Sequence, residues 1–260
     1  MFSQSITETL FDIPLCLCTR EDGIKIIEGI IGEGKPGLVV LANAHTFNLA
    51  YENRDYRGVL KRARAVFRDG VGVEWALARK GLPAHHNFAG TDFIPYFCKS
   101  TAGSGYRVYL LGARPGICEL AARELESIAP GMIIAGYHHG YFSEHETEEI
   151  VARINRSQAR ILLVAMGNPK QEVWISENLE RLTVPACIGV GALFDHLSGR
   201  LPRAPEWMLR AKIEWIYRLL TEPGRLWKRY LMGNPKFMVR VYRELGKEKA
   251  GKTKFNEQNH

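Results

Sequence analysis

Two stretches decide the fold of this 260-residue chain, and they read RVYLLGARPG at residues 107–116 and ILLVAMGNPK at residues 161–170. Each begins with a short apolar run and ends in a turn that contains glycine and proline, after which a helical pattern starts. A short apolar run followed by such a turn is typical of a buried strand that leads into a helix. The sequence therefore predicts strand–turn–helix units in this part of the chain.

The same alternation continues on both sides of these stretches. Short connections between strands and helices favour parallel strands joined by right-handed crossovers, so we predict an α/β fold with a Rossmann-like parallel-sheet core. The predicted strands cover residues 38–42, 65–67, 107–111, 132–135, 161–166 and 186–190. The predicted helices of this core cover residues 24–31, 46–53, 144–155 and 170–182, with one more that follows residue 116 and ends near residue 128.

After residue 195 the strand pattern ends and helical patterns take over. Tryptophan and aliphatic residues recur at steps of four and predict one helix over residues 205–220. Two further helices are predicted at 225–231 and 236–245, separated by Asn234-Pro235. These patterns predict three parts: an α/β core at 1–195, a helical C-terminal appendage at 196–245 and a disordered polar tail at 246–260.

The net charge of +7 is concentrated in the C-terminal quarter. Residues 200–260 hold 15 Lys and Arg against six Asp and Glu, a net charge of +9, whereas the preceding residues carry −2. Trp207, Trp215 and Trp227 lie in the same segment. A basic surface rich in Trp suits anionic lipid headgroups, a diphosphate or a nucleic acid. The alternative is a solvated helical face that only keeps the protein soluble.

Composition excludes several classes of protein. A hydrophobic fraction of 46% and a charged fraction of 24% are ordinary for a folded soluble chain. The longest apolar runs are far shorter than the ~20 residues of a membrane-spanning helix, and the N-terminus lacks the pattern of a secretory signal. Five cysteines, none in a Cys-x-x-Cys pair, predict buried thiols in a reducing compartment. Cys16 and Cys18 lie in an alternating LCLC run that suits a strand. We expect a cytoplasmic protein.

Ligands of Rossmann-like folds bind beyond the carboxyl ends of the strands, and Asp69 follows a predicted strand directly. A carboxylate there can accept a proton from a substrate hydroxyl or coordinate a metal or ribose. The alternative is an Asx turn or a helix cap. Lys170 and Gln171 begin the helix after another strand, where a cation, an amide and backbone N–H groups suit an anionic or polyhydroxylated ligand.

Motifs for cofactors and metals are absent from the sequence. The turn at 112–116 is not Gly-x-Gly-x-x-Gly, so it is weak evidence for NAD. Adjacent histidines at 85–86 and 138–139 lack zinc-ligand spacing, and there is no Asp-x-Asp pair to hold a divalent cation. We therefore predict no metal and no cofactor. If the protein is a transferase, the leaving diphosphate is expected to be neutralised by cations of the basic appendage, namely Arg218, Arg225, Lys228 and Arg229.

The whole pattern resembles one family, the WecG/TagA/CpsF glycosyltransferases, bacterial enzymes of teichoic-acid linkage, enterobacterial common antigen and capsule or exopolysaccharide assembly. Nine blocks match in order between about residues 40 and 231. They are ANA at 42–44, RDGVG at 68–72, AGTD at 89–92, YLLG at 109–112, HGYF at 139–142, AMGNPKQE at 165–172, GVGALFD at 189–195, RAP at 203–205 and EWIYRLLTEP at 214–223.

The resemblance implies transfer of a sugar, often of the N-acetylmannosamine type, from a UDP-sugar donor. The implied acceptor is a sugar on a polyprenyl diphosphate carrier at the inner face of the cell membrane. The resemblance also implies inversion at the anomeric carbon without a metal, and a C-terminal appendage that docks peripherally on the membrane surface. In some members dimers or trimers bury this appendage, so a homo-oligomer is compatible with the pattern. No nucleic acid partner is implied.

The resemblance assigns roles to individual residues. Asp69 matches the proposed general base, and Asn43 and Gln171 match residues of the pocket. Arg218, Arg225 and Lys228 fall where the appendage is thought to hold the diphosphate. The other candidate substrate-binding residues are Gly112, His139, Gly167, Lys170 and Arg203, which lie in matched segments, and Asn87, which precedes the AGTD segment.

Two departures from the family pattern affect the expected sugar. Many members have Thr-Pro-Asn where this chain has Leu41-Ala-Asn43, and many have Arg-Val-Ala-Gly where this chain has Asn87-Phe-Ala-Gly90. A threonine hydroxyl and an arginine of the site are therefore missing, which points to a changed donor or acceptor sugar. Two other classes stay open on the residues alone, a nucleotide-dependent oxidoreductase and a non-enzymatic module that binds an anionic membrane or a nucleotide.

Overall fold

The computed structural model describes residues 6–83 and 85–258, without the side chains of residues 6, 225 and 248–258. The strands are β1 (Ile6–Leu10), β2 (Ile13–Leu17), β3 (Gly37–Ala42), β4 (Ala65–Arg68), β5 (Arg107–Gly112), β6 (Ile133–His138), β7 (Ile161–Ala165) and β8 (Ala186–Gly189). The helices are α1 (Arg20–Glu33), α2 (Ala44–Glu52), α3 (Arg54–Lys61), α4 (Gly70–Arg79), α5 (Gly90–Thr101), α6 (Ile117–Ile128), α7 (Thr147–Arg156), α8 (Lys170–Asn178), α9 (Leu193–Leu197), α10 (Glu206–Arg210), α11 (Glu214–Thr221), α12 (Pro223–Trp227) and α13 (Gly233–Gln258).

Within the described ranges, eight strands form one sheet in the order β1-β2-β4-β3-β8-β7-β5-β6. Neighbouring strands are parallel, except that β1 and β2 form an antiparallel hairpin. The loop residues Phe11 and Asp12 of this hairpin have φ angles of 52° and 63°, the left-handed conformation that a tight two-residue turn requires. The predicted α/β fold is confirmed, and the hairpin adds an edge to it.

Apolar side chains cover both faces of the sheet. Every residue of β3, β4, β7 and β8 is buried, as expected for parallel strands with helices on both faces. Two hydrophobic clusters result, one on each face of the central strands. All five cysteines are free thiols, and four of them are buried, as the sequence predicts.

The strand order decides which loops meet. Strands β4, β3, β8 and β7 are consecutive neighbours in the sheet and run in the same direction. The loops that follow them therefore open at one edge, although the loops after β3 and β4 lie far from those after β7 and β8 in the chain. This edge carries the candidate residues at 43, 69, 167–171 and 189–195.

The helix predicted over residues 205–220 is wrong, because the structure divides it into α10 and α11. Lys212 has a φ angle of 59°, and its N–H group donates to the carbonyl of Leu209 while the N–H group of Ile213 donates to that of Met208. These two bonds are the Schellman motif, which ends a helix at a left-handed residue. The Lys212 ammonium group also lies 2.6 Å from a carboxylate oxygen of Glu74, which fastens the turn to α4.

The break predicted at Asn234-Pro235 is also wrong. Helix α12, a π-helical turn at Lys228–Met232 and α13 follow one another without interruption. Pro235 follows the π-helical turn directly, at a point where the regular hydrogen-bond pattern of the α-helix is already interrupted. The described backbone stays helical to Gln258, through most of the predicted disordered tail, and residues 259 and 260 lie outside the description.

The C-terminal helix packs into the hydrophobic core of the N-terminal strands. Phe237 and Val241 of α13 are 1% exposed, and the Phe237 ring lies 5.9 Å from that of Phe11. The guanidinium of Arg240 donates to the side-chain oxygen of Asn48 at 2.7 Å. Both carboxylate oxygens of Glu244 accept a bond from the N–H group of Phe11. The basic segment is therefore held against the first strands and α2.

Replacing Phe237 by alanine is expected to lower the free energy of unfolding by about 3–5 kcal/mol, because it leaves a cavity among buried rings. Met238→Ala, a change on the exposed side of the same helix, should cost about 0.5 kcal/mol or less. Urea denaturation of both variants measures the difference. Equal effects would show that α13 is not part of the core in solution.

Among the described residues, no helix is long and apolar enough to cross a membrane.

Candidate active site

Two adjacent cavities open at the carboxyl ends of β3, β4, β7 and β8. The larger has a volume of about 1130 Å³ and the smaller about 110 Å³. They share the lining residues Asn168, Gly191, Ala192, Arg218 and Arg229. The larger cavity carries an excess of positive charge, contributed by Arg114, Lys170, Arg200, Arg218, Lys228, Arg229 and Lys236. An anionic ligand therefore suits the larger cavity.

Asp69 lines the smaller cavity. It directly precedes α4, yet its side chain makes no capping bond to that helix, so the alternative of a helix cap is not realised. Its N–H group donates to the carbonyl of Ala42 at 2.7 Å, and Asn43 donates from Nδ2 to its Oδ2 at 3.3 Å. The backbone and one amide orient the carboxylate, which leaves Oδ1 available to a ligand.

The loop around Asp69 is held by a second amide. Asn43 caps α2, since its Oδ1 accepts bonds from the N–H groups of His45 and Thr46. Gly70 has a φ angle of 82°, and its N–H group donates to Oδ1 of Asn87 at 2.7 Å. Only glycine adopts that left-handed conformation without strain. The Asp-Gly turn is therefore fixed from both sides by asparagine side chains.

Burial raises the pKa of Asp69 above its ordinary value. The hydrogen bond from Asn43 and the positive charges of Arg229 and Arg218 act in the opposite direction, and the charge of Asp92 adds to the increase. A carboxylate with a raised pKa is a stronger base than an ordinary aspartate. The environment of Asp69 thus suits a general base.

Two arginines from the C-terminal helices face this carboxylate. Arg218 of α11 and Arg229 of the π-helical turn line both cavities. The Nε atom of Arg218 is buried and has no hydrogen-bond partner within the described part of the chain. Because guanidinium groups bind phosphate oxygens bidentately, these side chains can hold a diphosphate next to Asp69.

A second carboxylate, Glu214, lines the smaller cavity. Burial raises its pKa, the charges of Arg218 and Arg203 lower it, and Asp69 and Asp92 raise it further. Glu214 lies in a segment that matches the family, but the match assigns it no role. Its position at the start of α11 signals nothing by itself, since acidic residues are common in first helical turns.

Both the oxygen and the nitrogen of the Gln171 side-chain amide form hydrogen bonds within the protein. Its Oε1 accepts bonds from the N–H groups of Gly167 and Gly191, and its Nε2 donates to Oε1 of Glu172 at 2.6 Å. The carboxylate of Glu172 is fully buried and also accepts from Nδ2 of Asn168 at 2.7 Å and from the hydroxyl of Tyr56 at 3.0 Å. Gln171 therefore joins the loops after β7 and β8, and it also lines the smaller cavity.

Tyr56→Phe is expected to lower the free energy of unfolding by about 1–3 kcal/mol, because the buried Glu172 carboxylate loses one of its donors. Tyr51→Phe is the matched control, since Tyr51 is 41% exposed and its hydroxyl can bond to water. Thermal or urea unfolding measures both. An equally small loss for the two variants would show that the Tyr56–Glu172 bond does not stabilise the fold.

Three other predicted residues, Asn87, Gly112 and His139, are not among the residues that line the two cavities. Gly112 allows a close approach of strands, since a Cβ atom there would lie 2.4 Å from the carbonyl oxygen of Ala165. His139 precedes the lining residue Gly140, and its Nδ1 is buried without a partner among the described residues. Asn87 and Gly112 fix the conformation of the backbone near the cavities. Direct contacts of these residues with a substrate remain a prediction.

The remaining candidates divide between the larger cavity and the surface. Gly167, Lys170 and Lys228 line the larger cavity. Arg203 forms an ion pair with Asp92 in the first turn of α5. Arg225 lies in α12, but its side chain is outside the described residues.

The fold brings to the site three groups that had no family-matched role. Arg229 was expected only as one of the cations of the appendage. Glu214 lies in a matched block and had no assigned role, and His196 directly follows a matched block and had no signal. No group of three His, Cys, Asp or Glu side chains within the described residues is arranged to hold a metal ion.

A mostly parallel sheet with the Asp69 carboxylate at its strand ends, beside two arginines and a basic cavity, is typical of a group-transfer enzyme. Residues 8–251 match the glycosyl transferase WecG/TagA/CpsF family. The chain belongs to this family, and it is a glycosyltransferase.

Two curated relatives agree with this assignment. The chain is similar to N-acetylglucosaminyldiphosphoundecaprenol N-acetyl-beta-D-mannosaminyltransferase of Bacillus subtilis (strain 168), with 31% identity over 248 residues, 95% of this chain and 94% of the relative. It is also similar to the enzyme of the same name from Bacillus spizizenii (strain W23), with 31% identity over 211 residues, 81% of this chain and 80% of the relative.

Proposed function

We propose that this protein transfers a sugar from a UDP-sugar to a sugar carried on a polyprenyl diphosphate, with inversion and without a metal, in the synthesis of a cell-surface polysaccharide. One observation carries the proposal: Asp69, uncapped and buried, faces Arg218 and Arg229 where a small polar cavity meets a large basic one. The names of both relatives describe transfer to N-acetylglucosaminyldiphosphoundecaprenol, which supports a lipid-linked acceptor.

The reaction is a single displacement. The acceptor hydroxyl gives its proton to Asp69 while its oxygen attacks the anomeric carbon of the donor. The new glycosidic C–O bond forms as the bond between the anomeric carbon and the diphosphate oxygen breaks, and UDP leaves with the bonding electron pair. Attack opposite to the leaving group inverts the anomeric configuration.

Cations of the C-terminal helices take the place that a metal holds in other sugar-nucleotide transferases. Arg218 and Arg229 line the smaller cavity with Asp69, and Lys170 and Lys228 line the larger cavity. Charge that develops on the leaving diphosphate is stabilised by such fixed donors.

The same helices present apolar side chains on their outer surface. Trp207 is 65% exposed and Leu220 is 74% exposed, and the exposed set continues with Trp227, Leu231, Met232, Met238, Val239 and Tyr242. The Lys228 ammonium group lies 5.6 Å from the centre of the Trp227 ring. Aromatic and basic side chains together suit the headgroup region of an anionic membrane. Peripheral contact with the inner membrane face would bring the site to a lipid-linked acceptor.

This chain departs from the common family pattern at two positions that affect the expected sugar. Leu41, which replaces the usual threonine, lines the smaller cavity. Asn87, which replaces the usual arginine, bonds to the backbone of Gly70. Both changes lie beside Asp69 and support a donor or acceptor other than that of the common pattern.

A transfer assay tests the function. Purified full-length protein is incubated with a panel of UDP-sugars and a short-chain polyprenyl-diphosphate-linked N-acetylglucosamine, with EDTA present, and UDP release and lipid product are followed. We expect product from one donor despite EDTA. Loss of product that Mg²⁺ restores would overturn metal independence, and absence of UDP binding would overturn the choice of donor class.

A further inference from the structure

A half-buried histidine that the proposed displacement does not use lies in the wall of the smaller cavity. His196 belongs to α9 and lines this cavity with Asp69, Glu214 and Arg218. Its Nε2 atom is buried and has no hydrogen-bond partner among the described residues. Buried polar atoms are nearly always satisfied in native proteins, so an unsatisfied one in a cavity wall points to a ligand or a water.

The other ring nitrogen decides what kind of partner Nε2 needs. Nδ1 lies 3.1 Å from the carbonyl oxygen of Leu201, and a carbonyl can only accept, so Nδ1 carries a proton. Burial lowers the pKa of His196 to about 4, and the charge of Arg218 acts in the same direction. The ring is therefore neutral near pH 7, and Nε2 is an acceptor that only a donor group satisfies.

A second unsatisfied atom of opposite character lies in the same cavity. The Nε atom of Arg218 is a donor without a partner among the described residues, and Arg218 lines the cavity beside His196. A hydroxyl group offers both a donor and an acceptor, and so does an acetamido group. A group that bonds to both His196 Nε2 and Arg218 Nε must offer a donor and an acceptor, as a substituent of a sugar ring does and a phosphate does not, while the other N–H groups of the Arg218 guanidinium remain for the diphosphate.

We propose that His196 is a specificity-determining residue, which accepts a hydrogen bond from a hydroxyl or an acetamido N–H group of the donor sugar bound beside Asp69. The inference rests on the proposed function, because it takes the occupant of the smaller cavity to be the sugar of a UDP-sugar. The excess of cations in the larger cavity leaves that space to the diphosphate and the nucleoside.

Two substitutions separate the ligand bond from the structural bond. In His196→Asn, the amide nitrogen lies near the position of Nδ1 and can still donate to Leu201, but nothing replaces Nε2. In His196→Gln, the amide oxygen reaches toward the position of Nε2 and restores an acceptor there. His145→Asn, on an exposed residue, is the control for the chemical change itself.

The measurement is the contribution of the sugar to binding. Calorimetry on the full chain gives the dissociation constants of UDP, of UDP-N-acetylmannosamine and of UDP-N-acetylglucosamine. The Kd of UDP divided by the Kd of each UDP-sugar measures how much the sugar adds to binding. In His196→Asn we expect this ratio to fall about three- to tenfold for the preferred sugar, the loss of one hydrogen bond, with the Kd of UDP unchanged. His196→Gln should recover most of the loss, and His145→Asn should show none.

The outcomes are distinguishable. If UDP binds to the wild type but the ratio stays within twofold in His196→Asn, the role of His196 is overturned while the proposed function stands. If neither UDP nor any UDP-sugar binds to the wild type, the proposed function fails and the inference fails with it. UDP-glucose, which carries a hydroxyl where UDP-N-acetylglucosamine carries an acetamido group, tells which donor group His196 meets: an effect on both sugars indicates a hydroxyl, and an effect on the acetamido sugar alone indicates its N–H group.

Discussion

Asp69→Asn is expected to lower kcat for sugar transfer by about 10²–10⁴-fold, the usual contribution of a positioned general base. The asparagine keeps an oxygen that accepts the bond from Asn43, so the loop should retain its conformation, but an amide cannot take the proton of the acceptor hydroxyl. Burial of a carboxylate is unfavourable, so this variant should be at least as stable as the wild type at neutral pH. Kinetics of UDP release, with the Kd of UDP measured in parallel, test the expectation.

The pH dependence provides a second test of the same residue. Because burial raises the pKa of Asp69, kcat/KM should fall as the pH drops through a value above that of an ordinary aspartate, about 3.9. The stability effect has the opposite sign: below both pKa values the carboxyl is neutral in the folded and unfolded states, so the stability difference between Asp69→Asn and the wild type should vanish in acid.

A surface substitution controls for the chemical change at Asp69. Asp55→Asn, on an exposed residue of α3, should leave kcat within about twofold of the wild type, as surface changes away from a site usually do. Wild-type turnover in Asp69→Asn, with an unchanged pH profile, would remove Asp69 from the role of base.

The double variant Arg218→Ala/Arg229→Ala is expected to lower kcat by about 10²–10³-fold or more, comparable to the loss of fixed donors that stabilise charge in other transition states. Both side chains line the two cavities, and both act on the pKa of Asp69. Removing them leaves the departing diphosphate without its nearest cations. The Kd of UDP should rise as well, because the diphosphate is already charged before transfer.

Matched variants separate charge from geometry in this test. Arg210→Ala removes an exposed arginine of α10 that pairs with Glu206, and it should leave kcat within about twofold. Arg218→Lys keeps the charge but loses the bidentate fork, so its kcat should lie between those of Arg218→Ala and the wild type. A double variant that keeps wild-type turnover would limit the C-terminal helices to a membrane-docking role.

Particular residues show how far local pattern carries a structural prediction. The strands at 161–165 and 107–112 were predictable because their apolar runs end in turns that only glycine and proline favour. The single helix over 205–220 was wrong because its periodicity continues through Lys212, and nothing in that lysine announces a left-handed conformation. The turn there is stabilised by contacts outside the segment, such as the ion pair with Glu74.

In the candidate site, too, some residues could be selected from local pattern and others depend on the fold. Asp69 could be selected from the sequence because it follows a strand and precedes glycine. Gln171 could be selected because it begins a helix after a strand, but the direction of its amide depends on Gly167 and Gly191, which meet it only in the folded sheet. His196 had no signal, since its character depends on a bond to Leu201 and on burial.

Local pattern was enough for the α/β class, for the six parallel strands between residues 38 and 190, and for the family, and it selected Asp69 as a candidate base. These properties are local, because hydrophobic period, turn residues and short motifs lie within a few residues of one another. The helices α3, α4 and α5 were not predicted. Tertiary structure alone decided that β3, β4, β7 and β8 bring their loops together, that Arg218 and Arg229 lie beside Asp69, and that Phe237 completes the core. Such contacts join separate parts of the chain, and packing energy, which no local pattern records, selects them.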